Sequence, residues 1–284
     1  MDAYEKIKKT RLAGRATALD YIENIFDEFT ELHGDRRFAD DRAVVGGIAT
    51  LNGTPVTVIG IEKGKTMGER IERNFGCVSP EGYRKALRLC KQAEKFERPV
   101  VCIVDTQGAF AGAGAEERGA GAAIAENLYE LMDLRTPIIS LMVGEGGSGG
   151  ALALAVADRV WMLENAYYSV VSPEACASIL YKDASKAPEA AEHLRLMASD
   201  LYGFGIVEQV IREPDDFADS AQTTPFFVGI RRDLTREFGK LSRLTKEELL
   251  AERYEKYRKI GRYAENAGEQ PRKGLFRRRT RGKV

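Results

Sequence analysis

The chain has 284 residues, with 43 lysines and arginines against 43 aspartates and glutamates, so no strong net field favours nucleic acid or a membrane surface. No uncharged apolar run approaches the roughly 18 residues a membrane span needs, and the start, MDAYEKIKKTRLAGRATALD, lacks the apolar core of a signal peptide. A cytoplasmic location without a membrane partner is the expectation. Cys77, Cys90, Cys102 and Cys176 form no C-x2-C pair, and only His33 and His193 stand beside them, so they read as small buried residues and no metal is expected.

Residues 1–34 read as an N-terminal helical segment. TALDYIENIFDEFTELHG places Ile22, Ile25, Phe26, Phe29 and Leu32 at helical spacing, with Thr17 and Asp20 as a capping box and Gly34 as the stop. RAVVGGIATL and TPVTVIGIE follow as strands, and Asn52-Gly53 between them is a strong hairpin signal. GIEKGKT resembles a phosphate-binding loop only superficially. Walker A needs four residues between its glycines where Gly60 and Gly64 enclose three, and the next segment, MGERIERNFG, is too polar to pack on a sheet.

From Pro80 the pattern becomes strand alternating with helix. PEGYRKALRLCKQAEKF predicts a helix with proline in its first turn, RPVVCIVD a buried strand, AEERGAGAAIAENLYELMDL a helix and TPIISLMVG a second strand. GALALAVAD predicts a short helix and RVWMLE a third strand. The alternation predicts an α/β fold with parallel strands. Further on, Ala187 to Tyr202 reads as one helix, GIVEQVI as a strand, and Pro214 to Pro225 as loop. TKEELLAERYEKYRKIGRY reads as a charged helix capped by Thr245 and Glu248. The division expected is a main domain over 35–214, a loop and helices over 215–263, and a basic tail over 264–284. The tail's last fourteen residues, PRKGLFRRRTRGKV, have seven basic residues and no acid; they read as a solvated, disordered end, with contact to an acidic partner as the alternative.

The densest signal is GEGGSGGALALAVAD, residues 144–158. Gly144, Gly146 and Gly149 match the G-x-G-x-x-G dinucleotide fingerprint, and Glu164 stands twenty residues on. The helix before RVWMLE is short for a dinucleotide crossover, however, and tight structural packing explains glycines equally well. A third reading is a backbone oxyanion hole. Unpaired N–H groups at a helix start stabilise an anion, and glycine lets the reacting oxygen come close. Gly108-Ala109 and Gly149-Gly150 would form two such loops, suited to a delocalised anionic intermediate. The residues by themselves leave all three readings open.

Longer motifs narrow them. ELHGDRRFADDRAVVGGIATLNGTPVTVIG, RNFGCVSPEGYRKALRL, AEERG, GEGGSGGALAL and YSVVSPEACASILYKDASKAPEAAEHL resemble, in order, the α subunit of bacterial acetyl-CoA carboxylase carboxyltransferase, over about residues 15–214. The resemblance implies an α/β fold of the crotonase-like ββα spiral type with helices at both ends. It implies transfer of a carboxyl group from carboxybiotin, borne on the biotin carboxyl carrier protein, to acetyl-CoA, giving malonyl-CoA for fatty-acid synthesis. Biotin carboxylase would supply the carboxybiotin. A homologous β subunit bearing a zinc ribbon would complete an α2β2 assembly and bring most of the acetyl-CoA side.

On this resemblance the backbone N–H groups of Gly149 and Gly150 are the catalytic oxyanion donors to the biotin ureido oxygen. Gly146 and Gly147 would shape the turn and clear the biotin ring, and Gly108 and Ala109 would line the same cavity. The ureido anion left by CO2 would serve as base, so no His or Asp dyad is required. Several positions depart from the family pattern: Ile61-Glu62 stands in place of His-Gln, Gln107 of proline, Ala120 of glutamine, and DDFADSAQTT of a Gly-Gly-Ala-His-Arg segment. Glu116, Glu117 and Arg118 read as helix-opening residues, and His33 and His193 as structural. A non-catalytic subunit that only scaffolds its β partner, and a NAD-binding oxidoreductase, are the competing functions.

Overall fold

The computed structural model describes residues 2–261, so the basic tail over 264–284 lies outside the described residues. Helix α1 (Ala3–Thr10) starts where the Asp2 side chain accepts from Glu5 N, and α2 (Ala18–Ile25) starts at the expected Thr17–Asp20 box. The expected single helix then stops early. Phe26 turns extended, and Asp27–Glu31 form strand β1, paired antiparallel with β2 (Val44–Leu51). Phe29 on β1 and Leu32 just past its end still pack on the core, and Leu32 N donates to Gly46 O at 2.8 Å. Pairing with β2 satisfies backbone groups that would otherwise be left on a sheet edge.

Strand β3 (Thr54–Ile61) completes the predicted hairpin, with Asn52 at φ +49 and Gly53 at φ +78, both in the left-handed region that such a turn needs. Next come α3 (Met67–Glu72), α4 (Pro80–Lys95) and β4 (Val100–Thr106). The helix expected after β4 is two pieces, α5 (Ala113–Glu117) and α6 (Ala120–Met132), parted by Gly119 at φ +79. Strand β5 (Ile138–Gly147) runs on through most of the glycine cluster before α7 (Ser148–Leu152), β6 (Arg159–Leu163), β7 (Tyr167–Ser169) and α8 (Pro173–Leu180).

Two further elements differ from expectation. The helix expected over Ala187 to Tyr202 is α9 (Ala187–Leu194) and α10 (Ala198–Gly203). Between them Arg195 takes φ +48 and Met197 bridges Tyr167, while Tyr168 N donates to Leu196 O at 3.1 Å; strand pairing has displaced the helix there. After β8 (Gln209–Ile211), the expected loop already contains the start of α11 (Ser220–Leu241), which carries Pro225 in its second turn. Proline inside a helix costs about 3 kcal/mol. The neighbouring Phe226 and Phe227 meet Tyr21 edge-on at 6.1 and 5.3 Å, and that burial offsets it. Helix α12 (Lys246–Arg258) starts at the expected Thr245–Glu248 box.

The sheet runs β1-β2-β3-β4-β5-β6-β8, with β7 added beside the end of β5, and every pairing from β3 onward is parallel. Each new strand joins on the same side. The order never reverses, so the switch-point crevice of a dinucleotide-binding sheet is absent among the described residues. Close approach on both faces is set by glycine: Gly60 lies under Ala18 of α2, where a Cβ would come within 2.7 Å, and Gly46 lies under Leu89 of α4. The core between the layers is one continuous cluster rich in Val, Ile, Leu and Ala.

Candidate functional site

Strands β4 and β5 are parallel neighbours, so their C-terminal ends and the loops that follow emerge together. Thr106 Oγ1 fixes the first loop by donating to Gly76 O at 2.7 Å and accepting from Gly108 N at 3.0 Å. Gly108 itself has φ +149, open to glycine but strained for other residues. The second loop, 147–150, lies directly against the first. A Cβ on Gly147 would overlap the Gln107 carbonyl, and one on Gly150 would stand 2.5 Å from Ala109 N. The structure therefore brings Gly108, Ala109, Gly147 and Gly150 together, with Gly108 and Ala109 packed against the second loop and not lining the cavity beside Gly149.

The reasons for the individual glycines differ. Gly146 and Gly147 belong to β5 rather than to a turn. The space beside Gly146 is taken by Tyr167 O, which a Cβ there would meet at 2.7 Å, and that beside Gly147 by Gln107. These two make room for the protein's own backbone, not for a ligand ring. Gly149 is different: a Cβ there would meet nothing closer than Ile124 at 3.6 Å. Ser148 before it takes φ +50, so the chain bends sharply where strand becomes helix. As the second and third residues of α7, Gly149 and Gly150 have no intrahelical acceptor for their N–H groups.

Gly149 lines a cavity of about 310 Å³ with Ser148, Leu152, Tyr168, Ser169, Val170, Leu201 and Ile206. No charged side chain lines it. Bare amides on one wall and hydrocarbon on the others suit a neutral ring system that carries one strongly accepting oxygen.

A second cavity, of about 180 Å³, lies behind the 105–107 loop and is charged. Lys63 Nζ is 2.6 Å from Asp105 Oδ1 and 2.9 Å from Glu145 Oε1. Arg11 Nε and the Tyr167 hydroxyl both donate to Glu145 Oε2 at 2.9 Å, and Glu145 N donates to Asp105 Oδ1 at 2.7 Å. Burial pushes the Glu145 carboxyl up, but Lys63 and Arg11 outweigh it and hold the group at about 2. Burial likewise works against the Lys63 ammonium, yet its two carboxylate partners raise its pKa. Glu145 and Lys63 are thus held in their charged forms and, with their partners, brace the ends of β4 and β5; they are poorly placed to carry protons. Sequence reading missed the network, although a glutamate inside the glycine run was its visible trace.

Of the positions that depart from the family pattern, Ile61 and Glu62 do not line the cavity beside Gly149, whereas the Gln107 carbonyl packs against Gly147. Ile61 is fully buried in the core, and the buried Glu62 accepts from Leu19 N at 2.8 Å and from Gly64 N at 2.7 Å. Glu116 and Glu117 are exposed on the short α5, while Arg118 pairs with Glu81 at 3.0 Å. His33 meets Asp40 at 3.0 Å and His193 meets the Tyr181 hydroxyl at 2.8 Å, both at the surface. Cys90, Cys102 and Cys176 are buried and Cys77 partly so. Among the described residues no group of three or more His, Cys, Asp or Glu could hold a metal ion, and no helix is long and apolar enough to cross a membrane.

A sequence model of the family described as "Acetyl co-enzyme A carboxylase carboxyltransferase-like" matches residues 1–261. The chain is 55% identical over 263 residues to a Clostridium acetobutylicum protein named acetyl-coenzyme A carboxylase carboxyl transferase subunit alpha, covering 93% of this chain and 96% of that one. It is also 55% identical over 265 residues to a Natranaerobius thermophilus protein named acetyl-coenzyme A carboxylase carboxyl transferase subunits beta/alpha, covering 93% of this chain and 44% of that longer one. Among solved structures it is similar in fold to transcarboxylase 12S, with TM-score 0.61 at 20% identity, over 79% of this chain and 42% of that one.

Proposed function

Because this chain belongs to the acetyl-CoA carboxylase carboxyltransferase family, we propose that the Gly149 and Gly150 amides are its oxyanion donors on the biotin side of carboxyl transfer. The fold is the crotonase-like α/β spiral of such transferases. The chain is an α-type subunit that works with a β partner in transferring a carboxyl group to acetyl-CoA, which yields malonyl-CoA for fatty-acid synthesis. The chemistry is biotin-dependent. The biotin is borne on a carboxyl carrier protein and loaded by a biotin carboxylase, and two α chains assemble with two β chains.

One observation carries the assignment of the donors. Packing accounts for Gly146, Gly147 and Gly150, each of which would drive a Cβ into backbone, but it leaves Gly149 unexplained. Gly149 is the glycine that lines the uncharged cavity, with its N–H unclaimed by the helix. The residues present fit biotin: the Gly149 amide would hold a ureido oxygen, and Leu152, Val170, Leu201 and Ile206 would supply the apolar contact for its ring. When bound in carboxylated form, biotin supplies the carboxyl group to be transferred.

The chain's own work is then to hold the oxygen where negative charge develops and to keep water out. Amides fixed at a strand-to-helix bend need no reorganisation as that charge appears, which is the source of their effect on rate. Gly108 and Ala109 hold the Gly150 peptide from behind. No general base lines the cavity, consistent with a reaction whose proton acceptor is not a protein side chain.

The test is reconstitution with the β partner and carboxylated carrier protein. The α chain without β is expected to show no transfer, and added β to restore it with a stoichiometric end point. Gly149→Val keeps the N–H but its side chain would bar the oxygen from it, so the rate of the assembled enzyme should fall at least ~10²-fold, as when one such donor is lost. Near-normal activity in a folded Gly149→Val subunit, or full activity of α free of β, would overturn the reading.

A further inference from the structure

Tyr83, one turn into α4, is fully buried, yet its hydroxyl has no hydrogen-bond partner among the described residues. An unpaired buried hydroxyl destabilises a fold, a cost that phenylalanine at the same place would avoid. Its position is specific. The oxygen stands 3.0 Å from the point a Gly150 Cβ would occupy, and that same point lies 2.5 Å from Ala109 N and 2.8 Å from Gly108 C. The phenol therefore ends where the two glycine loops cross. The segment leading into α4 is tied to the first of these loops, since Thr106 Oγ1 donates to Gly76 O and Phe110 N donates to Val78 O at 3.0 Å.

We propose that Tyr83 is a positioning residue for the carboxyl transfer: its hydroxyl oxygen, wedged where the two loops cross, sets the approach of Gly108-Ala109 to Gly150. The inference rests on the assignment of the Gly149 and Gly150 amides as donors. Burial pushes the phenol far above its ordinary pKa, so the group remains a neutral O–H throughout the working range and acts by placement, not by proton transfer. Phenylalanine would keep the ring and its packing but lose the oxygen at the crossing.

Tyr83→Phe in the assembled α–β enzyme separates this role from simple filling of the core. The expected result is a fall in kcat of about tenfold, smaller than the ~10²–10³ of a lost direct donor, with KM for acetyl-CoA unchanged. Tm should be unchanged or raised, because an unsatisfied polar group has been removed. Unchanged kcat would overturn the inference, as would a loss of kcat accompanied by a lower Tm. Gly149→Val is measured alongside. If Tyr83→Phe keeps kcat while Gly149→Val loses it, only the role of Tyr83 falls. If Gly149→Val keeps full activity, the donor assignment falls and the role of Tyr83 with it.

Discussion

Gly147 and Gln107 are packed backbone to backbone: a Cβ on Gly147 would overlap the Gln107 carbonyl oxygen. Backbone cannot swing aside as a side chain can, so the loop after β4 would have to move. Gly147→Ala should destabilise the α chain by about 1–3 kcal/mol, the usual cost of overpacking. Gly149→Ala, with Ile124 at 3.6 Å, should change stability by less than about 0.5 kcal/mol. Thermal unfolding of the two variants checks this, and equal losses would contradict the distinction between the two glycines.

The Lys63–Glu145 pair gives a signed pH dependence. Glu145 sits at about 2 in the fold against an ordinary value of 4.5, with Lys63 and Arg11 outweighing the effect of burial. A depressed carboxyl stabilises the fold in its ionised form. The contribution is complete above about pH 4.5 and is lost as pH falls toward 2, and it amounts to about 1–3 kcal/mol. Glu145→Gln should lower stability at pH 7 by that order and flatten the acid limb between those values. Urea unfolding at a series of pH values measures both.

Arg253 is the buried anchor of α12. Its Nε and Nη2 each lie 2.8 Å from the two Asp158 carboxylate oxygens, and Nη1 donates to Leu131 O and Leu134 O at 2.7 Å. Removing one partner of a buried pair leaves the other charge uncompensated. Arg253→Ala should therefore cost about 3–5 kcal/mol. Arg253→Lys should rescue only part of it, since an ammonium cannot reproduce the fork geometry. Denaturant midpoints of the two variants provide the comparison.

Glu62 accepts from two backbone donors, one on each oxygen. Glutamine offers a single acceptor oxygen and would turn its NH2 toward the second donor. Glu62→Gln should thus cost about 1–3 kcal/mol in this chain. Turnover of the assembled enzyme should remain unchanged, because Glu62 does not line the cavity beside Gly149. A loss of turnover at full stability would place Glu62 in the site.

The Asn52-Gly53 hairpin, the Thr17–Asp20 and Thr245–Glu248 boxes, the proline-started α4 and the alternation of strand with helix all follow from the order of residues. Each is decided within one turn or a few residues, by a steric or hydrogen-bonding preference that needs no distant partner. The motifs around Gly108 and Gly149 also indicated which two loops meet. Elsewhere a distant segment overrode the local preference. The helical spacing of Phe29 and Leu32 lost to pairing with β2, the helix expected over Ala187 to Tyr202 broke to pair with Tyr167 and Tyr168, and Pro225 stayed inside α11 because Phe226 and Phe227 bury against Tyr21.

The site divides in the same way. Composition alone established that side chains had been removed across residues 144–150, but not what had come close to each. Gly147 faces Gln107, Gly146 faces Tyr167, and Gly149 faces the cavity; the assignment depends on which backbone lands opposite, and that is set when the strands take their order in the sheet. The same holds for Tyr83, whose ring would be ordinary core anywhere else. Its hydroxyl acquires meaning only because the folded chain puts it where two loops, far apart in sequence, cross within contact distance. Local geometry follows from nearest-neighbour sterics, whereas close backbone contacts and buried unpaired groups arise from long-range packing, which no short stretch encodes.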